Sequence, residues 1–422
     1  MFTGRVPFVW ISNAYNNTGM ESKSITINNP VTAVGADKFL FTSNPYQMVA
    51  SGAIQAGASG ATINTLNENF KYPQVFRVNL GLDKEFDNGL KVTVDALFSK
   101  TLNNVFFNNL AINNNGAKVY PVASNEAISA PYYTQTSSAY SAIVALSNTN
   151  KGYTYSLRGK VEKSFDFGLN LMASYTYGHS YSLNDGTSSV AFSNWKYNYS
   201  VDTNSPNELG YSMFDRPHKL NALVSYNTPY YANGRMRTTF AMTYEGISGQ
   251  RYCLTMSEDA DFNNDGQKGN SLLYIPTAEE IGQMNWAKPE DAIKFEKYIN
   301  ESRYMSSHRG QWSERNAIVA PFENMFDLHI AQDYIYDKVE GRKVQLTFDI
   351  MNLANLLNPA WGVYYGGSYN LAVLGVTNVA PNGVAEDGTV KMVPTYNFKG
   401  NVLTPSDFYS RWRCQLGLRL TF

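Results

Sequence analysis

The last fifteen residues, FYSRWRCQLGLRLTF, take turns between two kinds of side chain. In an extended segment Phe408, Ser410, Trp412, Cys414, Leu416, Leu418, Leu420 and Phe422 share one face, while Arg411, Arg413, Gln415, Gly417, Arg419 and Thr421 share the other. One face suits hydrocarbon and the other suits water. A slip of one residue would exchange them and put three arginines into lipid, at roughly 2–4 kcal/mol each near the bilayer midplane. The alternation fixes the register of the strand and the two media beside it.

The same period of two recurs upstream in segments of about ten residues, the length a tilted strand needs to cross a bilayer. Phe76, Val78, Leu80 and Leu82 alternate with Arg77, Asn79, Gly81 and Asp83, and beyond the turn DNG come Leu90, Val92, Val94, Ala96 and Phe98 against Lys91, Thr93, Asp95 and Leu97. The two runs form a hairpin. A second hairpin joins the runs containing Tyr153 to Val161 and Leu169 to Tyr177, a third crosses NTPYYANG between Tyr226 and Phe240, and a fourth crosses DKVEG between Ile330 and Val344. With an opening strand near residues 2 to 12 and a final one near 408 to 422, the pattern predicts about ten strands. Their connections alternate between short turns and long polar stretches, at about 13 to 73, 113 to 151, 182 to 212, 250 to 322 and 357 to 406. Short turns on one side and long loops on the other predict an all-β fold, an antiparallel transmembrane β-barrel with its loops outside the cell and its C-terminus in the periplasm. A soluble sandwich or propeller also alternates, but it does not place an arginine-bearing row inside its core or combine such strands with such loops.

Composition agrees once the alternation is recognised. Aromatic residues make up 14 % of the chain and charged residues only 16 %, below the roughly 25 % of a soluble domain. No run approaches the roughly 20 apolar residues of a membrane helix. The mean hydropathy of −0.33 looks soluble because each strand cancels its own signal. A net charge of −1, with Lys and Arg scattered, offers no basic field for nucleic acid. Cys253 and Cys414 lie far apart in dissimilar surroundings, so no disulfide is expected. The opening MFTGRVPFVW has neither the charged nor the apolar region of a signal peptide, and for a surface protein this predicts that the true beginning lies upstream.

Several segments resemble the C-terminal barrel of TonB-dependent outer-membrane transporters, in particular the Oar-like branch with a carboxypeptidase-regulatory-like N-terminal domain. They are FTGRVPFVWISN, NTNKGYTYSLRGKVEKSF, FDRPHKLNALVSY, DFNNDGQKGNSLLYIP, YMSSHRGQWSERNA, FDLHIAQDY and FDIMNLANLLNPAWG, followed by the terminal Phe422. Each is weak alone, and the order and spacing carry the resemblance. It implies a barrel of about 22 strands around a plug, driven by the TonB energy-coupling complex. Residues 1–422 would then be the C-terminal part of one barrel domain, without the plug, the regulatory-like domain, the signal peptide and the first part of the wall. An open ten-stranded sheet would leave backbone groups unpaired in lipid, at several kcal/mol each, so the wall must be completed or close differently. The chain is expected to be a fragment, a split-gene product or one piece of an assembled barrel. In such proteins the terminal aromatic, here Phe422, is part of the signal read by the barrel-assembly machinery; it also suits a strand end at the membrane interface.

Among candidate sites, Asp259, Asp261, Asn263 and Asp265 space oxygen ligands every second residue before Gly266, as calcium loops do. Counted from Asp261, the twelfth position is Leu272 and not Glu, which excludes an EF-hand and leaves a solvated Asx-turn loop as the alternative to a calcium site. Asp215, Arg216 and His218 precede a strand in FDRPHKL and read as a salt bridge between loop and barrel rim. No Ser or Cys nucleophile motif accompanies them, and no enzymatic activity is expected. His179, His308 and His329 lack metal-ligand spacing. The row with Arg77, Asp83, Asp95, Arg158, Asp333 and Arg413 mixes both signs and predicts a hydrated inner wall that pairs across strands or holds a plug. Loop aromatics such as Trp195, Tyr197, Trp286, Trp312, Trp361 and Tyr364 can stack on glycan or peptide, or pack the loops together.

The function expected from the resemblance is uptake of a bulky nutrient, a peptide, protein or glycan, across the outer membrane of a Gram-negative bacterium, with the TonB complex and a possible surface lipoprotein as partners. A surface adhesion or structural barrel without active transport is the alternative.

Overall fold

The computed structural model describes residues 2–3, 61–137, 140–257, 259–366 and 370–422. Ten strands cross it in one antiparallel sheet: β1 (Phe2–Thr3), β2 (Gln74–Glu85), β3 (Leu90–Asn109), β4 (Tyr153–Ser164), β5 (Leu169–Ser182), β6 (His218–Asn227), β7 (Met236–Ile247), β8 (Glu323–Asp337), β9 (Arg342–Met351) and β10 (Arg413–Thr421). Each pairs with the next in sequence. This is the meander that the alternation predicts. Of the predicted opening strand, Phe2 and Thr3 pair with Val75 and Gln74; the remainder, and the stretch 13–60, lie outside the described residues. No helix among the described residues is long and apolar enough to cross a membrane, so crossing falls to the strands.

The register keeps the two faces apart over many strands. Leu416 lies opposite Phe348, Phe348 opposite Ile330, Ile330 opposite Phe240, Phe240 opposite Tyr226 and Tyr226 opposite Leu169. One residue along, Gln415 faces Asp349 and Asp349 faces His329. The apolar row is bare: Leu416 is 74 % exposed and Leu418 68 %. A soluble protein rarely leaves so broad an apolar band uncovered, whereas a bilayer covers it. Rings gather towards the strand ends, with Tyr153, Tyr181 and Tyr211 stacked at 4.7 Å on the loop side and Phe165 against Phe167 at a short turn. Amphipathic rings belong at such interfaces.

The final strand is shorter than its alternation predicts. Residues Asp407–Ser410 make one helical turn and β10 begins at Arg413. Local partners account for the difference: the Ser410 hydroxyl donates to the Ser406 carbonyl at 2.6 Å and Arg411 pairs with Asp407. Phe408, Ser410 and Trp412 therefore do not extend the lipid-facing row.

The long loops are not merely polar connections. Ile318–Val319, Arg251–Ser257, Asn370–Val384, Val390–Phe398, Lys118–Val119 and Ala130–Pro131, drawn from three loops, form a six-stranded sheet. Against it lies the helix Pro289–Glu301, with Pro at its first turn, Glu290 and Asp291 near its positive end, and Phe295 and Ile299 buried four residues apart on one face. Leu254, Met256, Leu273, Phe295, Val373 and Tyr396 belong to the resulting core. A second cluster holds Val105 and Phe107 of β3, which runs beyond the membrane part, with Val144, Leu146 and Trp195. Among the described residues the buried apolar side chains lie in this head and the upper end of β3, with Ala331 on β8 the exception. A membrane wall has lipid for its apolar side, so the dry core sits above it.

Candidate functional site

The polar face of the wall is a ladder of neighbouring charges. Arg158 lies opposite Asp95 with N and O 3.9 Å apart, Lys219 approaches Glu245 at 3.2 Å, Lys343 approaches Asp333 at 2.9 Å, and His329 bonds its register partner Asp349. Such exposed pairs stabilise by about 0–1 kcal/mol each; their effect is to leave a hydrated face of mixed sign. That face is concave. A crevice of about 550 Å³ is lined by Asn221, Thr243, Glu245, Asp327, Arg411 and Arg413, which brings β6, β7 and β8 together with the approach to β10.

At the rim, FDRPHKL ties the head to the wall. The Asp215 carboxylate, 2 % exposed, accepts from Arg251 Nε at 2.6 Å and from the Ser180 amide at 2.6 Å, and meets His179 Nδ1 at 3.1 Å. The Arg251 guanidinium stacks 3.7 Å from the Tyr211 ring centre and also donates to the Asn316 carbonyl at 2.9 Å. Arg216 donates to Glu323 at the start of β8 at 2.9 Å. The predicted salt bridge between loop and rim is present twice. His218 is not Asp215's partner; its Nδ1 meets the Tyr175 hydroxyl at 2.7 Å.

Above this hub opens a cleft of about 560 Å³, bordered by Asn184, Asp185, Asn198, Tyr197, Phe214 and Arg315. Arg315 is buried, with Nη1 donating to the Leu183 carbonyl at 2.7 Å and to Asn198 Oδ1 at 2.5 Å. Burial holds its guanidinium below the ordinary arginine range. Exposed Tyr197 and Phe214 offer ring faces beside these amides. Such a lining can hold a peptide or sugar by stacking and amide hydrogen bonds. Most other loop aromatics serve packing: Trp195 is 1 % exposed and donates to Asn204 at 3.0 Å, Trp286 donates to the Ile281 carbonyl at 2.8 Å, and Trp312 meets Phe262 and Tyr274 edge to face. Trp361 stays exposed.

The aspartate-rich loop divides. Asp259 is ion-paired with Lys399 at 2.8 Å. Asp261 accepts from the amides of Asp265 at 3.3 Å and Gly266 at 2.7 Å, and Asp265 accepts from the Gln267 amide and Asn270 Nδ2, each at 2.8 Å. Asn263 is fully buried. Among the described residues no three His, Cys, Asp or Glu side chains converge as a metal group. Cys253 is free and buried, its thiol pushed up to about 12 by burial, and Cys414 is free on the lipid-facing row. Phe422, 94 % exposed, ends the chain beyond β10.

Arg251, Glu323 and Arg315 escaped the sequence reading. Arg315 lies within one of the resembling segments, but nothing in the spacing of Arg251 or Glu323 announces a partner more than thirty residues away.

The family model described as "Outer membrane beta barrel domain" matches residues 1–362. The chain belongs to that family. No curated protein and no solved structure matches it. The barrel's apolar row therefore faces the outer-membrane bilayer, its charged row faces away from lipid, and the long loops build the head at one end of the strands.

Proposed function

We propose that this barrel takes part in energy-coupled uptake of a bulky nutrient, as the Oar-like TonB-dependent transporters it resembles are expected to do. In this reading the chain supplies wall and head. What supports the reading most is where the resembling segments fall. FDRPHKL forms the rim hub, YMSSHRGQWSERNA carries Arg315 to the cleft, and DFNNDGQKGNSLLYIP runs into the core of the head through Leu273 and Ile275. FDRPHKL and YMSSHRGQWSERNA thus border one cleft through Phe214 and Arg315. A peptide, protein or glycan captured at the cleft would pass along the paired-charge wall once a plug moves. A surface lipoprotein is a fitting lid, and Phe422 a fitting signal for the barrel-assembly machinery.

The test is accumulation of labelled oligopeptides and oligosaccharides by cells carrying the intact locus. Energy-coupled uptake predicts loss of accumulation when TonB is depleted and when Arg315 and Tyr197 are both replaced by Ala. Accumulation indifferent to both, with surface attachment impaired by loss of the protein, would instead establish the adhesion or structural barrel.

A further inference from the structure

The loop from Asp261 to Asn270 holds two carboxylates that are hydrogen-bonded but have no countercharge among the described residues. Asp265 is 1 % exposed and Asp261 is half-buried. Among the described residues neither makes an ion pair with Lys, Arg or His; the nearby Lys399 is taken by Asp259, and the Lys268 ammonium donates to the Asp259 carbonyl at 3.1 Å. Burying carboxylates is costly unless charge is balanced.

Beside them are buried oxygens with nothing to bind. Asn263 is fully buried, and neither Oδ1 nor Nδ2 has a hydrogen-bond partner. Asn270 is 2 % exposed; its Nδ2 donates to the Asp265 carboxylate at 2.8 Å, and its Oδ1 has no hydrogen-bond partner. An amide oxygen left bare in a dry place costs about 1–3 kcal/mol. Unmatched negative charge and unmatched amide oxygens in one short loop have a common remedy, a hard cation.

We propose that Asp261, Asp265, Asn263 and Asn270 bind a divalent calcium ion, with water completing its shell. Asp261 takes backbone amides of the turn, Gly266 the nearest at 2.7 Å, and Asp265 takes the Gln267 amide, Asn270 and Thr203, so a cation would share these carboxylate oxygens with the turn. Calcium takes six to eight oxygens in flexible geometry, which amides, carboxylates and water supply together. The site departs from the spacing prediction in two respects: Asp259 is replaced as a ligand, and Asn270, nine residues beyond Asp261, joins.

The position gives the ion a role. The Asn263 carbonyl accepts from the Tyr133 amide at 2.8 Å, and Asn264 Nδ2 donates to the Tyr133 carbonyl at 2.8 Å, so this loop, between β7 and β8, clips to the one between β3 and β4. The Tyr133 hydroxyl bonds Asp202 of a third loop. Calcium would brace the joint of three loops. This does not depend on transport.

The experiment uses the full chain in detergent micelles. Trp312 packs 6.0 Å from the Phe262 ring within the loop, so a bound terbium ion should be excited through it. The expected result is saturable terbium emission displaced by calcium, and a head melting temperature that climbs with calcium concentration. Asp265→Asn should abolish the calcium response, yet in chelator it should be as stable as the natural chain or more so, because it removes an unmatched buried charge. Equal melting in calcium and chelator together with no terbium emission would overturn the site. So would an Asp265→Asn chain equally destabilised with and without calcium, since the carboxylate would then act only as a hydrogen-bond acceptor. Terbium emission on the natural chain decides the matter even if the variant fails to fold.

Discussion

Arg251 donates to the Asp215 carboxylate at 2.6 Å, and both side chains are almost completely out of solvent. The pair joins a strand of the head to the loop that leads into β6. Removing one partner from a buried ion pair leaves an uncompensated charge, at about 3–5 kcal/mol. Asp215→Ala should therefore loosen the head over the rim, raising protease cleavage within the loops. The strands, held by lipid and ladder hydrogen bonds, should keep their heat-modifiable migration on gels. Equal loss of both would mean that head and wall unfold as one unit.

The two faces of β10 make opposite predictions for one substitution. Leu418→Arg puts a charge on the lipid row and should destabilise the folded barrel by about 2–4 kcal/mol if the site lies near the midplane. Gln415→Arg, on the row that pairs with Asp349, should leave stability within about 0.5 kcal/mol because the arginine meets water and a carboxylate. Denaturant unfolding in vesicles measures both. Similar values for the pair would remove the assignment of faces.

Phe422 touches little, being 94 % exposed, so packing gives it no role in stability. Its deletion should leave the melting temperature of the purified, refolded chain unchanged while lowering the folded fraction in the outer membrane of producing cells. A fall in stability in vitro would show a role within the fold; full insertion in cells would dismiss the assembly signal.

The wall was legible in the sequence because its physics is local. Lipid on one side and water on the other force a choice at every residue from Phe76 to Leu82 and from Cys414 to Leu420, and a period of two survives in the string of letters. The head was not legible. Phe295 and Ile299 lie on a helix whose partners Val373 and Tyr396 arrive from another loop, and no period links them. The Asp215 motif could be read as a rim contact, but its partner Arg251 could not, since the pairing exists only after two loops have folded. Arg411 shows the opposite failure: its alternation is real, and a single helical turn with its own Asp407 pair takes it off the strand. In the aspartate loop, spacing says nothing of burial. Asp259 fits the period yet pairs with Lys399, while Asn270 lies outside it.

Burial, and secondarily the Asp261 charge, raise the Asp265 carboxyl from its ordinary 3.8 to about 7. Between those two values the folded head holds a proton that the unfolded chain has released, so protonation favours the folded state. The contribution is fully present below the unfolded value and is lost as pH rises through about 7. In chelator, the melting temperature of the head should accordingly fall between about pH 5 and about pH 8. The groups around the carboxyl are the Asp261 carboxylate, the Asn270 amide, the Gln267 backbone amide and the Thr203 hydroxyl, of which only Asp261 also titrates in this range. Asp265→Asn should flatten the profile across that window, and calcium should flatten it in the natural chain by matching the charge that repels. A profile with the same slope in the natural chain and in Asp265→Asn would assign the pH dependence to another group and remove Asp265 as the buried, poorly compensated acid of the head.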